Sequence, residues 1–210
     1  IPFMNFLSVS VNDVRARLFR ISFSGEHAYE IAVPASYGDA MIRLLVSEAK
    51  KLGGGPYGME ALNVLRIEKG FITHAEIDGR VTAKDIGMSR MISEDKSCIG
   101  KVMASRPGLN SVQREQLVGL KPLNEKETLL AGAHVYCLHQ QPKRIYDQGH
   151  ITSVCYSPHL KSSIGLALIK NGQNRIGEKV KMVDHLRNLE VIVNITSPVF
   201  LDKTGSRVRG

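Results

Sequence analysis

The second half of the chain constrains the fold more than any other feature. From residue 115 onward it reads as nearly all short strands, at 115–121, 133–139, 149–156, 163–170, 178–183 and 190–194. Turn residues separate them at spacings of about 8–15 residues, the signature of a small antiparallel barrel or sandwich. At about 150 residues per domain, the 210 residues allow one large domain or two small ones. Between Gly100 and Val112 the composition shifts, through Arg106-Pro107-Gly108-Leu109-Asn110-Ser111. That break divides the chain into residues 1–105 and a barrel over 106–210.

The first half mixes strands and helices. Phe19, Ile21 and Phe23 alternate with Arg20 and Ser22, and Tyr29, Ile31 and Val33 alternate with Ala28, Glu30 and Ala32. The two segments read as half-buried strands joined by Ser24-Gly25-Glu26-His27 in a short hairpin. Ser36 with Asp39 resembles a capping box, and Met41, Leu44, Leu45 and Leu52 follow helical spacing up to Gly53, which predicts a helix over 37–52. A second helix is expected over 57–69, with Met59, Leu62 and Leu65 on its apolar face and Gly70 at its end. Strands and turns are expected from there to about residue 92, with Gly79 and Gly87 as turn signals. Gly53-Gly54-Gly55-Pro56 fits no phosphate-loop pattern and reads as a cap followed by a linker.

Composition narrows the function classes. Hydrophobic residues at 43% and charged residues at 23% match a globular chain. No stretch approaches the roughly 20 apolar residues that span a bilayer, so no membrane partner is expected. The formal charge of +8 suggests an anionic partner. The basic residues are nevertheless dispersed. The densest groups, Arg15-Ala16-Arg17, Lys50-Lys51 and Arg207-Val208-Arg209, fall short of a nucleic-acid patch, so no nucleic acid is expected. Cys98, Cys137 and Cys155 are widely spaced, without metal-ligand spacing. They read as reduced thiols of a cytoplasmic protein, with no metal site. The start, Ile1-Pro2-Phe3-Met4, has no features of a signal peptide and reads as the interior of a longer polypeptide, or a processed piece.

Two charged residues stand out of place. Glu30 shares a strand face with the small residues Ala28 and Ala32, so its carboxylate faces either solvent or a ligand. Arg66 lies four residues after Leu62, on the face that Met59, Leu62 and Leu65 mark as buried. A guanidinium there snorkels from the edge of the stripe, pairs with Glu30, or helps to hold a ligand. The seven histidines (27, 74, 134, 139, 150, 159 and 185) form no metal or protease motif, and Glu76, Asp78 and Asp85 read as turn and surface groups.

The motifs together resemble a known family. Ser24-Gly25-Glu26-His27-Ala28-Tyr29-Glu30-Ile31 resembles the Gly-Glu-x-Gly-(Tyr/Phe)-Glu-(Ile/Val) hairpin of the aminomethyltransferase, or glycine-cleavage T-protein, superfamily. Tyr57–Gly70, with Leu65-Arg66-Ile67-Glu68-Lys69-Gly70 at its end, resembles the superfamily's next motif, whose core is Leu-Arg-(Leu/Ile)-Glu-x-Gly. Phe19–Glu26, Pro56–Ala61 and Leu65–Ile72 are similar to one branch, the alpha subunits of heterotetrameric sarcosine oxidases. Gly149–Ser153, Ser163–Leu168 and Ser197–Phe200 are similar to the C-terminal barrel of the same family. The resemblance implies an α+β fold: a ferredoxin-like folate-binding section followed by a small antiparallel β-barrel.

It also implies tetrahydrofolate as ligand. Glu30 matches the family carboxylate that binds the pterin ring, and Arg66 the arginine of the folate site. Tyr29 and Tyr57 lie in the same two motifs and join the implied site. The implied reaction is capture of the one-carbon unit from sarcosine oxidation as 5,10-methylenetetrahydrofolate. Its flavin (FAD or FMN) and NAD belong to other parts of the complex, including a flavin-bearing beta subunit. The family's expected Asp base lies upstream of this chain, so no catalytic residue is assigned. The alternatives within this reading are a T-protein, a dimethylglycine-type demethylase, or a non-catalytic folate- or RNA-binding member.

Overall fold

The computed structural model describes residues 1–210. They divide into two compact units, Ile1–Arg66 with Asp202–Gly210, and Ile67–Leu201.

The first unit carries a three-stranded antiparallel sheet of β1 (Phe6–Val11), β2 (Val14–Phe19) and β3 (Glu30–Ala32), in that order. Asn12 and Asp13 connect β1 and β2 with φ of 47° and 62°. Two successive positive φ values make the two-residue turn whose twist matches that of the flanking strands. The register that follows is Phe6↔Phe19, Ser8↔Arg17 and Ser10↔Arg15, and β3 continues it with Phe19↔Glu30 and Arg17↔Ala32.

The strand expected over 19–23 is therefore not formed, and β2 ends at Phe19. Arg20 is only 1% exposed. Its Nη1 donates to the Ala28 carbonyl at 3.2 Å. Its guanidinium lies 5.9 Å from the Phe3 ring centroid and 5.3 Å from that of Tyr29. The Arg20 backbone still bonds to Asn5 O and Met4 N, and beyond it the chain runs as a loop to β3 in place of the expected short hairpin.

Helix α1 (Gly38–Lys51) follows a 3-10 turn at Ala35–Tyr37. Its N-cap is Tyr37, without a side-chain cap, rather than Ser36. Asp39 instead accepts a hydrogen bond from Arg43 Nε at 2.8 Å, one turn along. Helix α2 (Met59–Glu68) does not bury the stripe read from its sequence. Met59 is 78% exposed, whereas Arg66, Ile67 and Glu68 are buried.

The second unit is built on a closed barrel of β4 (Glu115–Pro122), β5 (His134–Cys137), β6 (Gly149–Ser157), β7 (Ser162–Lys170), β8 (Lys179–Asp184) and β9 (Leu189–Thr196). The strand order is β4-β7-β6-β5-β8-β9, and β4 closes on β9 with Gly119↔Thr196. Six short strands at the positions read from the sequence thus close into a barrel, which removes every free edge. Val118, Leu120, Val135, Ile151, Ile169, Val180, Met182, Val193 and Ile195 form its core.

Residues 71–114 contain no strand; they are turns, a 3-10 turn at Ser89–Met91 and the short helix α3 (Lys101–Ala104). Thr73 N donates to Glu76 Oε2 and Thr82 N to Asp85 Oδ2, and these side-chain caps bend the chain into turns where strands and turns were expected. The segment covers the outside of the barrel. Ile67, Ile72, Val81 and Ile86 pack with Leu117, Ile164, Leu166 and Leu168. β7 is accordingly buried on both faces except at Lys170. This second cluster is why the compact unit begins at Ile67, far ahead of the composition break near residue 105.

Candidate functional site

The antiparallel register sorts the first sheet by residue parity, because side chains alternate between faces. One face carries Phe6, Ser8, Ser10, Arg15, Arg17, Phe19, Glu30 and Ala32. Phe6 and Phe19 stack with ring centroids 5.6 Å apart. Glu30 is the direct cross-strand neighbour of Phe19 and is exposed, with no hydrogen bond or ion pair. A free carboxylate beside two stacked rings can accept from the N–H edge of a flat heterocycle while the rings take its apolar face.

The other expected site residues have separate settings. Arg66 is 5% exposed, and its Nε donates to Asn63 Oδ1 at 2.9 Å. No ion pair joins it to Glu30, so the structural-pair alternative is not realised. Tyr29 is 47% exposed, with its hydroxyl 3.1 Å from His27 Nε2 and its ring against Arg20. Tyr57 is 62% exposed. Arg20 Nη2 is buried with no hydrogen-bond acceptor, and ring faces surround its charge instead.

The sequence reading did not single out Phe6, Phe19, Arg15 or Arg17 for the site. Their signal is the Asn12-Asp13 pair between two alternating segments, which fixes which residues share a face with Glu30.

Glu76 and Asp85, expected as turn and surface groups, are buried in the second unit, as is Glu68. Glu76 is 0% exposed and accepts from Thr152 Oγ1 at 2.7 Å and Ser153 Oγ at 2.5 Å. Glu68 accepts from Ser157 Oγ at 2.5 Å. Asp85 accepts from Arg114 Nη2 at 2.7 Å and from Thr82 N at 2.7 Å. Burial pushes the Asp85 carboxyl up, but the Arg114 guanidinium and the Thr82 donors outweigh it and hold the group below the ordinary range. These bonds staple residues 67–86 to the barrel. No group of three or more His, Cys, Asp or Glu residues is placed to hold a metal ion. No helix is long and apolar enough to cross a membrane.

Comparison with known proteins covers both halves. The family model of the GCVT N-terminal domain matches residues 1–96, and that of the glycine cleavage T-protein C-terminal barrel domain matches residues 115–202. The chain is 42% identical over 99% of its length to a protein named sarcosine oxidase subunit alpha from Rhizobium meliloti, and covers 21% of that protein. A Corynebacterium protein of the same name is 38% identical over 99% of the chain, which covers 22% of it. An aminomethyltransferase of Oceanobacillus iheyensis is 29% identical over 85% of the chain and is covered to 47%. The chain thus spans about a fifth of the sarcosine oxidase relatives. A crystal structure of the glycine cleavage system aminomethyltransferase T from Bartonella henselae superposes with a TM-score of 0.79 over 96% of the chain and 53% of its own, at 19% identity. That likeness is one of fold.

Proposed function

From the premise that the chain belongs to the glycine cleavage T-protein family, we propose that it binds tetrahydrofolate as the one-carbon acceptor of a sarcosine oxidase alpha subunit. In this reading Glu30 takes the pterin N–H groups, Phe19 and Phe6 cover a ring face, and Arg66 holds its loop side with Tyr29 and Tyr57 at the margin. Bound there, tetrahydrofolate supplies the amine nitrogens that take up the one-carbon unit as 5,10-methylenetetrahydrofolate. The residues of this chain bind and orient; the base belongs to other parts of the enzyme. So do the flavin, NAD and the beta subunit that bears a flavin, in a cytoplasmic complex.

The observation that carries the reading is Glu30: exposed, unpaired, and directly across from the stacked Phe19. An exposed carboxylate beside stacked rings keeps its acceptors open to the N–H edge of a ligand. The 42% identity to a sarcosine oxidase alpha subunit, against 29% to the Oceanobacillus aminomethyltransferase, favours the oxidase over a T-protein.

The test is calorimetric titration with tetrahydrofolate of the wild type, Glu30→Gln and Phe19→Ala. Charge-assisted hydrogen bonds contribute about 1.5–3 kcal/mol, so Glu30→Gln is expected to weaken binding by roughly 10- to 100-fold. Both side chains lie on an open face, and unchanged far-ultraviolet circular dichroism checks that the variants fold. Wild-type affinity in Glu30→Gln would remove the pterin from this carboxylate.

A further inference from the structure

Glu30 stands at the weakest end of its sheet. Strand β3 is three residues long, pairs only with β2, and begins at Glu30. Residues 20–29, which lead into it, form neither helix nor strand. A short edge strand entered from a loop opens easily unless something beyond its own ladder holds it. A binding carboxylate needs its place kept to within about 0.5 Å. The side chain that meets this need is Arg20, the first residue of the loop, which is 1% exposed.

Arg20 bridges the two sides of the sheet at this end. Towards β1, its backbone N–H donates to Asn5 O at 2.8 Å and its carbonyl accepts from Met4 N at 2.9 Å. Towards β3, its Nη1 donates to the carbonyl of Ala28, two residues before Glu30. The guanidinium also lies against the ring of Tyr29, the residue that directly precedes Glu30. A planar, weakly hydrated guanidinium can rest on rings while its edge donates. No carboxylate neutralises it, and Nη2 has no acceptor. A buried charge with an unmet donor costs stability. What it secures is the path by which Ala28 and Tyr29 enter β3.

We propose that Arg20 is a positioning residue, which fixes the entry of β3 so that the Glu30 carboxylate stands beside the stacked Phe6 and Phe19. The inference rests on the folate reading of that face and adds a residue that acts through Glu30. Phe19 shares the open face with Glu30. Arg20 follows it in the chain but is buried against Phe3 and Tyr29, out of reach of a ligand on that face. Its contribution to binding therefore passes through the carboxylate it places.

The experiment is a double-mutant cycle on tetrahydrofolate binding, with the wild type, Arg20→Met, Glu30→Gln and the double variant. Methionine fills the space between the rings without the donor. Arg20→Met is expected to weaken binding by about tenfold in the wild-type background. The loss is expected to shrink to about twofold or less once Glu30 is already Gln, because the two residues act as one unit. Equal losses in both backgrounds, as a general effect on the fold would give, would overturn the proposal, and so would wild-type affinity in Arg20→Met. Arg20→Lys, which keeps a charge against the rings, enters the same cycle if Arg20→Met does not fold. Hydrogen exchange of the free protein separates this from the folate reading. In the Arg20 variant the β3 amides are expected to exchange about tenfold faster, while those of β1 and β2 keep their wild-type rates. Unchanged β3 exchange would overturn the positioning role whether or not folate binds. Faster β3 exchange, with no tetrahydrofolate bound by the wild type, would uphold the role of Arg20 and overturn the folate reading alone.

Discussion

Replacing Asp85 by Asn removes one charge and leaves the shape of the side chain. Asp85 is 2% exposed. It holds Arg114 through Nε at 3.0 Å and Nη2 at 2.7 Å, and Thr82 through N at 2.7 Å and Oγ1 at 2.9 Å. An amide keeps one acceptor for Thr82 but turns a donor toward the guanidinium. The Arg114 side chain is 21% exposed, so water recovers part of its solvation. The expected cost is about 2–3 kcal/mol, below the loss from breaking a fully buried pair. The folded carboxyl titrates lower than the unfolded one, so its contribution is present above the unfolded value of about 3.9 and is lost as pH falls through the folded value. The stability gap between wild type and variant is therefore flat from neutral pH down to about 5 and narrows below about 4. Urea unfolding followed by near-ultraviolet circular dichroism reads it, because Tyr136 is buried in the barrel. Equal midpoints at neutral pH, or a gap that widens with acid, would refute the reasoning.

Other perturbations probe the barrel and its cover. Gly149→Ala, at φ 139°, drives a methyl into the Leu168 carbonyl and is expected to lower stability by about 1–3 kcal/mol in thermal denaturation. Ile67→Ala, at a fully buried position of the outer cluster, is expected to cost about 2–5 kcal/mol. Hydrogen exchange should show the loss first in residues 67–86, and uniform loosening of the sheet β1-β2-β3 instead would contradict that packing. Cys98 is exposed while Cys137 and Cys155 are partly buried, so one thiol is expected to react with a chromogenic disulfide well before the other two.

The barrel was legible because its short strands are set off by turn residues at regular spacing. The expected 190–194 is the middle of Leu189–Thr196, and 133–139 brackets His134–Cys137. The first sheet was not. Phe19, Ile21 and Phe23 alternate as a strand does, yet Arg20 is buried by Phe3, Ala28 and Tyr29, partners that no local pattern reveals. The same holds for Glu76 and Asp85, whose turn character was read correctly and whose burial depends on Thr152, Ser153 and Arg114 far along the chain. At the candidate site Glu30 and Arg66 stood out as charges in apolar settings. Phe6, Arg15, Arg17 and Phe19 became relevant only once the register was known.

That register hangs on the two turn residues Asn12 and Asp13. One residue inserted between β1 and β2 would shift every odd-numbered side chain of β2 to the opposite side of the sheet relative to β1. Arg15, Arg17 and Phe19 would trade places with Ala16 and Leu18, and Phe6 would lose its ring partner. Neither turn residue lies on the strand face that carries Glu30, but the turn works as the parity bit of that surface. Length changes there are expected to be tolerated far less than substitutions in the arginines themselves.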